Sequence, residues 1–173
     1  MIKKNLDTKK LYYGFPIFVL GYKDEVFGFN YTTCSSSYTL DDQLVIGLSS
    51  ESNAAAQISA FRCFTFNLVT RDYLKQTEIG GLSKIDKFNV PGAFHYETSK
   101  LIDAPIIQES CISFECQVEK ILEVEGISHV FATILRRSVD DSLIKNGQLF
   151  AENLNPVLFM GDSSKRIYRY LSN

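Results

Sequence analysis

A chain of 173 residues, 45% hydrophobic and 22% charged, is long enough for one domain with a sizeable core and too short for two ordinary ones. Its net charge of −2 gives no field that would gather nucleic-acid phosphates, and no basic stripe interrupts the pattern, so nucleic acid is not an expected partner. The 13 Phe and 9 Tyr tilt an ordinary globular composition toward strands and exclude disorder.

From the N-terminus, Met1 to Lys10 carries four lysines with no apolar run behind it. No later stretch approaches the roughly 20 apolar residues of a membrane span. A cytoplasmic protein without a membrane partner is expected. Ile17 to Leu20, Leu44 to Leu48 and Cys63 to Leu68 are short apolar runs of strand length. Between the last two, Ser52 to Ala60 opens on good capping residues and reads as a short helix. Arg71 to Ile79 reads as a second helix, stopped by Gly80-Gly81. Lys87 to Lys100, with Pro91-Gly92, shows no clear period and reads as a surface loop. From Cys111 to Arg137, Ile112, Phe114, Cys116 and Val118 alternate with Ser113, Glu115, Gln117 and Glu119 before Glu125-Gly126. That pattern predicts a long hairpin with one polar face. Pro156 to Met160 and Arg166 to Leu171 close the chain as strand candidates. About seven strands with few short helices define a sandwich or a barrel.

Cys34, Cys63, Cys111 and Cys116 form no C-x-x-C pair, and only His95 and His129 could join them, so no metal site is expected. Cys63 and Cys116 read as small buried hydrophobes in a reducing compartment. The chain has no G-x-S-x-G, H-E-x-x-H, P-loop or dinucleotide fingerprint, and no catalytic side chain is assigned. Two segments hold candidate chemistry. Leu48 to Asn53 puts hydroxyl and amide side chains between a strand and a helix N-terminus, which suits either a phosphate or a simple cap. Gly80 to Phe88 places Lys84 and Lys87 after a glycine pair, as an anion site or as a helix stop followed by a solvated turn.

In order along the chain, Phe15 to Gly21, Asn30 to Ser37, Phe64-Thr65-Phe66-Asn67, Gly81 to Phe88, Ala104 to Glu109 and Phe114-Glu115-Cys116 resemble the motifs of the flavin reductase-like and flavoredoxin family. The resemblance covers nearly the whole chain and implies a mainly β, Greek-key, FMN-binding split barrel. It further implies a homodimer with FMN near the interface, NAD(P)H as co-substrate, and electron transfer to a flavin, a metal or an acceptor protein. A flavin-binding electron carrier without nicotinamide activity, and a barrel that has lost its flavin and serves as an interaction module, are the alternatives. The ring would lie against Asn30, Tyr31, Thr32, Thr33, Ser35 and Ser36, and the phosphate near Ser49, Ser50 and Asn53. Lys87, with Lys84 second, would supply a cation. His129, in a segment resembling the family's histidine at a strand start, and Tyr168 of the closing strand complete the cofactor-binding set. The sequence departs from the family pattern where Ser35, Ser36 and Ser37 replace an expected aromatic, where Leu40-Asp41-Asp42-Gln43 replaces Asp-Pro-Pro, and where Asn53 stands for a threonine.

Overall fold

The computed structural model describes residues 1–8, 10–162 and 165–171. Its strands are β1 (Leu11–Pro16), β2 (Phe18–Asp24), β3 (Gly28–Cys34), β4 (Ser37–Leu40), β5 (Gln43–Ser49), β6 (Cys63–Leu68), β7 (Tyr96–Thr98), β8 (Pro105–Ile107), β9 (Ile112–Val124), β10 (Ile127–Val139), β11 (Ile144–Lys145), β12 (Gln148–Leu149), β13 (Leu158–Asp162) and β14 (Arg166–Arg169). Helix α1 (Asn53–Phe61) joins β5 to β6, and a 3-10 turn at Arg71–Tyr73 leads into α2 (Leu74–Ile79). The central sheet has the order β3-β2-β6-β9-β10-β5-β4. Here β6, β9 and β10 are neighbours in succession and β5 folds back beside β10, which is a Greek key.

The two edge strands of this sheet, β3 and β4, are joined through Ser35-Ser36 alone. A sheet whose edges are covalent neighbours must curl until they meet, so β3 and β4 act as one long strand that leaves β2 and joins β5. The result is a barrel with a split along that strand. The long hairpin turns at Glu125 and Gly126, both with positive φ (49° and 78°), as a two-residue loop matching the strand twist requires.

The barrel interior holds Phe18, Leu20, Tyr22, Leu44, Ile46, Phe64, Phe66, Cys116, Val130 and Ala132. Phe66 is its centre, stacked on Phe18 at 4.4 Å and on Phe114 at 5.2 Å. A second cluster, Val19, Tyr31, Val69, Phe94 and Ile107, lies on the opposite face of β2. Cys63 and Cys116 are buried, as their apolar settings predict, and all four cysteines are free.

Helix α1 begins as the sequence implies, with the Ser52 hydroxyl accepting from the Ala55 N–H at 3.2 Å. Two expectations need correction. The stretch read as a loop over 87–100 contains β7, which pairs with β8. Its three residues are all exposed, so they carry no alternation to read. The polar face of the hairpin does not face solvent at Ser113 and Glu115, which are buried. There each has a partner: Ser113 donates to Asn67 Oδ1 at 2.9 Å, Arg136 Nη2 donates to Glu115 Oε1 at 2.6 Å, and Arg136 Nε stands in ion-pair contact with Glu115 Oε2, which accepts no hydrogen bond, at 2.6 Å. Among the described residues, no helix is long and apolar enough to cross a membrane.

Candidate functional site

The outer face of β10, β5 and the start of β4 brings His129, Gly47 and Ser36 into one row. Gly47 lies opposite His129 in the ladder, and its N–H donates to the Ser36 carbonyl at 3.0 Å. With strands spaced at about 4.8 Å, the row spans about 10 Å. Gly47 has no positive φ, and a Cβ there would meet only the Ser36 Cβ at 3.5 Å and a methyl of Ile127 at 4.0 Å. Neither backbone nor packing demands a glycine, although glycine in a strand costs roughly 0.5–1 kcal/mol against alanine. What it does is leave the face open, the mark of a close approach by something else. Ser49 continues this face beside Ile127. The side chains of Ser35, Ser36 and Ser49 make no hydrogen bond among the described residues, so their hydroxyls are available to a ligand.

The strand-to-helix junction is organised more tightly than a row of free hydroxyls. Ser50 Oγ is paired with Ser128 Oγ at 2.9 Å. The Asn53 amide donates to Asp24 Oδ2 at 2.7 Å and to the Tyr22 hydroxyl at 3.5 Å. Burial alone would push the Asp24 carboxyl up, but the Asn53 amide and the Val26 and Phe27 N–H groups outweigh it and hold it below the usual carboxylate range. What this end offers an anion is therefore backbone N–H and the α1 dipole, with Asn53 tying the helix to the β2–β3 turn.

On β3, most of the predicted polar groups are occupied by the chain itself. Asn30 is buried; its amide donates to the Ile85 carbonyl at 2.9 Å, and its side-chain oxygen accepts from the N–H groups of Tyr31 and Lys87. The hydroxyls of Thr32 and Thr33 donate to the carbonyls of Gly80 and Thr77 at 3.3 and 2.7 Å. A Cβ on Gly80 would stand 2.2 Å from Thr33 Oγ1, so glycine is what lets the end of α2 rest on the strand. The Tyr31 ring belongs to the second apolar cluster.

Lys87 is buried, and its ammonium donates to the Tyr31 carbonyl at 2.6 Å. The structure thus ties it to β3, while Lys84 is exposed with φ 57°. Burial pulls the Lys87 amine from 10.5 to about 8, partly offset by nearby Cys34 and Asp24. The unfolded chain therefore holds a proton that the native protein releases between pH 8 and 10.5, and this group's contribution to stability rises with pH across that window. Cys34 and Cys116, whose thiols burial raises to about 12, act in the opposite sense above pH 9. Comparison with Lys87→Met, which keeps both thiols buried, removes most of their effect: the stability difference, wild type minus variant, should climb from pH 8 to 10.5 by up to about 1.4 kcal/mol per pH unit. Urea unfolding at a series of pH values measures it, and a flat difference would refute the burial of this charge.

Thr33, Ser35 and Tyr168 come together on the other side of the Ser35-Ser36 link, around a cavity of about 270 Å³ under the small sheet β1-β13-β14. Two other wall residues of this cavity, Tyr12 and Phe159, come from opposite ends of the chain and carry no local motif.

This arrangement is the flavin reductase-like split barrel. The flavoredoxin of Methanosarcina acetivorans superposes with a TM-score of 0.88 at 19% identity, covering 100% of this chain and 93% of that one. The flavoredoxin of Desulfovibrio vulgaris (Miyazaki F) gives 0.86 at 21% identity, over 99% and 94%. A 2-nitrobenzoate 2-nitroreductase of Pseudomonas fluorescens gives 0.77 at 19%, over 89% and 80%. No protein-family model matches the chain. An uncharacterized protein of Aquifex aeolicus (strain VF5) is 30% identical over 95 residues, a stretch spanning 53% of this chain and 45% of that protein. The residues present fit a flavin: an open cradle at Gly47, unengaged hydroxyls beside it, and a helix N-terminus three residues beyond the end of β5.

Proposed function

We propose that this chain is an FMN-binding oxidoreductase of the flavin reductase type, which takes electrons from NADH or NADPH and passes them to a flavin, a metal or an acceptor protein. The observation that carries the reading is the cradle at Gly47, kept open between Ser36 and His129 at the split of the barrel. When bound, FMN supplies the hydride-accepting ring that no side chain can replace. The chain's part is to hold it. Ser36 would offer a hydroxyl along the ring edge, His129 an imidazole nitrogen at the far end of the row, and the N–H groups opening α1 would serve the phosphate.

We also propose a homodimer. Tyr38, Leu122, Val124 and Ile127 are exposed around the cradle on the same outer face, an apolar surface that a second copy would cover while closing the flavin site. A cytosolic location agrees with four free cysteines.

Anaerobic mixing of the FMN-loaded protein with NADH or NADPH tests the reductase reading. The oxidised flavin spectrum should bleach with at least one of them. No bleaching with either would remove nicotinamide chemistry and leave an electron carrier.

A further inference from the structure

Asn146-Gly147 forms the two-residue loop between β11 and β12, with positive φ at both residues (54° and 75°), the type I′ geometry that this dipeptide favours. Each strand of the hairpin is two residues long, and the two pair only with each other. An isolated two-stranded hairpin is marginally stable, so this one opens far more readily than the barrel. Both turn residues are exposed, with open space beside Gly147. Among the described residues the Asn146 side-chain amide makes no hydrogen bond, and the Gly147 N–H donates to no turn or loop carbonyl. Other asparagines are held or hindered. The amides of Asn30, Asn53, Asn67 and Asn89 donate to the Ile85 carbonyl, Asp24, the Val19 carbonyl and Asp86. Asn155 precedes Pro156, whose ring nitrogen has no proton to give, and the N–H after Asn153 is bound to the Ala151 carbonyl.

We propose that Asn146 is a site of spontaneous deamidation and isoaspartate formation. When the hairpin opens, the Gly147 nitrogen attacks Asn146 Cγ: the N–Cγ bond forms, the Cγ–Nδ2 bond breaks, and the proton of the Gly147 N–H leaves with the amide nitrogen as ammonia. Water then opens the succinimide, giving aspartate where the new N–Cγ bond breaks and isoaspartate where the original peptide bond breaks. No electrons are exchanged, and glycine, lacking a Cβ, leaves the attacking nitrogen unhindered. Either product adds a negative charge to the chain's −2. Isoaspartate also routes the backbone through the side-chain methylene, so the two-residue loop no longer matches the strand twist. The Phe150 N–H, bonded to the carbonyl of buried Leu143 at 2.8 Å, holds the base of the hairpin and confines the change to it.

Incubation of the full chain in warm, mildly alkaline buffer tests this, with a synthetic peptide spanning Ile144 to Phe150 as the clock for the same chemistry without a fold. Ion-exchange chromatography and peptide mapping follow the reaction, and isoaspartyl methyltransferase labelling counts isoaspartate. The chain should convert to a more acidic form, mapped to Asn146, at a rate within roughly tenfold of the peptide's, with its melting temperature unchanged. Asn146→Gln, which has to close a larger ring, should slow the conversion at least about tenfold. Conversion of the wild type more slowly than that margin below the peptide would overturn the proposal, because the fold would then hold the turn closed. So would acidification that maps first to another asparagine, or that runs as fast in Asn146→Gln.

Discussion

Phe66→Ala should lower the unfolding free energy by about 3–5 kcal/mol. Phe66 sits on β6, between β2 and β9, and is sandwiched by Phe18 and Phe114 at 4.4 and 5.2 Å. Truncation removes the middle ring of a three-ring stack contributed by three adjacent strands. Those strands are fixed by their ladders and cannot close the gap, so most of the void persists. Urea unfolding should show the loss as an earlier midpoint with an unchanged slope. A loss under about 1.5 kcal/mol would mean that the barrel collapses around the void, contrary to this packing.

Arg136→Leu should cost about 3 kcal/mol or more, because it strands the carboxylate of Glu115, whose side chain is 2% exposed, against 41% for that of Arg136. The cost is that of an orphaned buried charge, so it should be relieved by removing the charge as well. Glu115→Leu combined with Arg136→Leu should recover most of the loss, since a buried pair contributes little against apolar residues of similar size. A double-mutant cycle by thermal or urea unfolding measures the coupling, and additive losses would contradict the ion-pair reading. The pair lies on the β6–β9 face, away from the Gly47 cradle, so FMN affinity of the folded variants should not change.

The strands and their hairpin were readable because their side chains alternate: the sequence from Ile112 to Val118 and the Glu125-Gly126 turn carry period and turn chemistry together. The α1 cap was readable from Ser52 in the same way. What could not be read depends on long-range placement. Asn53 is captured by Asp24, 29 residues earlier, and Lys87 by the Tyr31 carbonyl, 56 residues earlier. Nothing local announces either bond. Ser113 and Glu115 read as a solvated face until Asn67 and Arg136 are known to satisfy them. Gly47 is one glycine in an apolar run, and only the neighbours of its missing Cβ turn it into a cradle. Tyr12 and Phe159 meet only because β1 and β13 pair across almost the whole chain.

The Gly47 cradle is also where the account is most exposed to test. FMN titration of the wild type and of Gly47→Val, read by quenching of flavin fluorescence, addresses it directly. The added Cβ meets only ordinary contacts in the free protein, at 3.5 Å and beyond, and the face it points from is open, so the variant should fold while filling the cradle. Saturable binding by the wild type, weakened at least about tenfold in Gly47→Val with no loss of melting temperature, is the predicted result. Absence of FMN binding by the wild type, or equal binding by both, would contradict it.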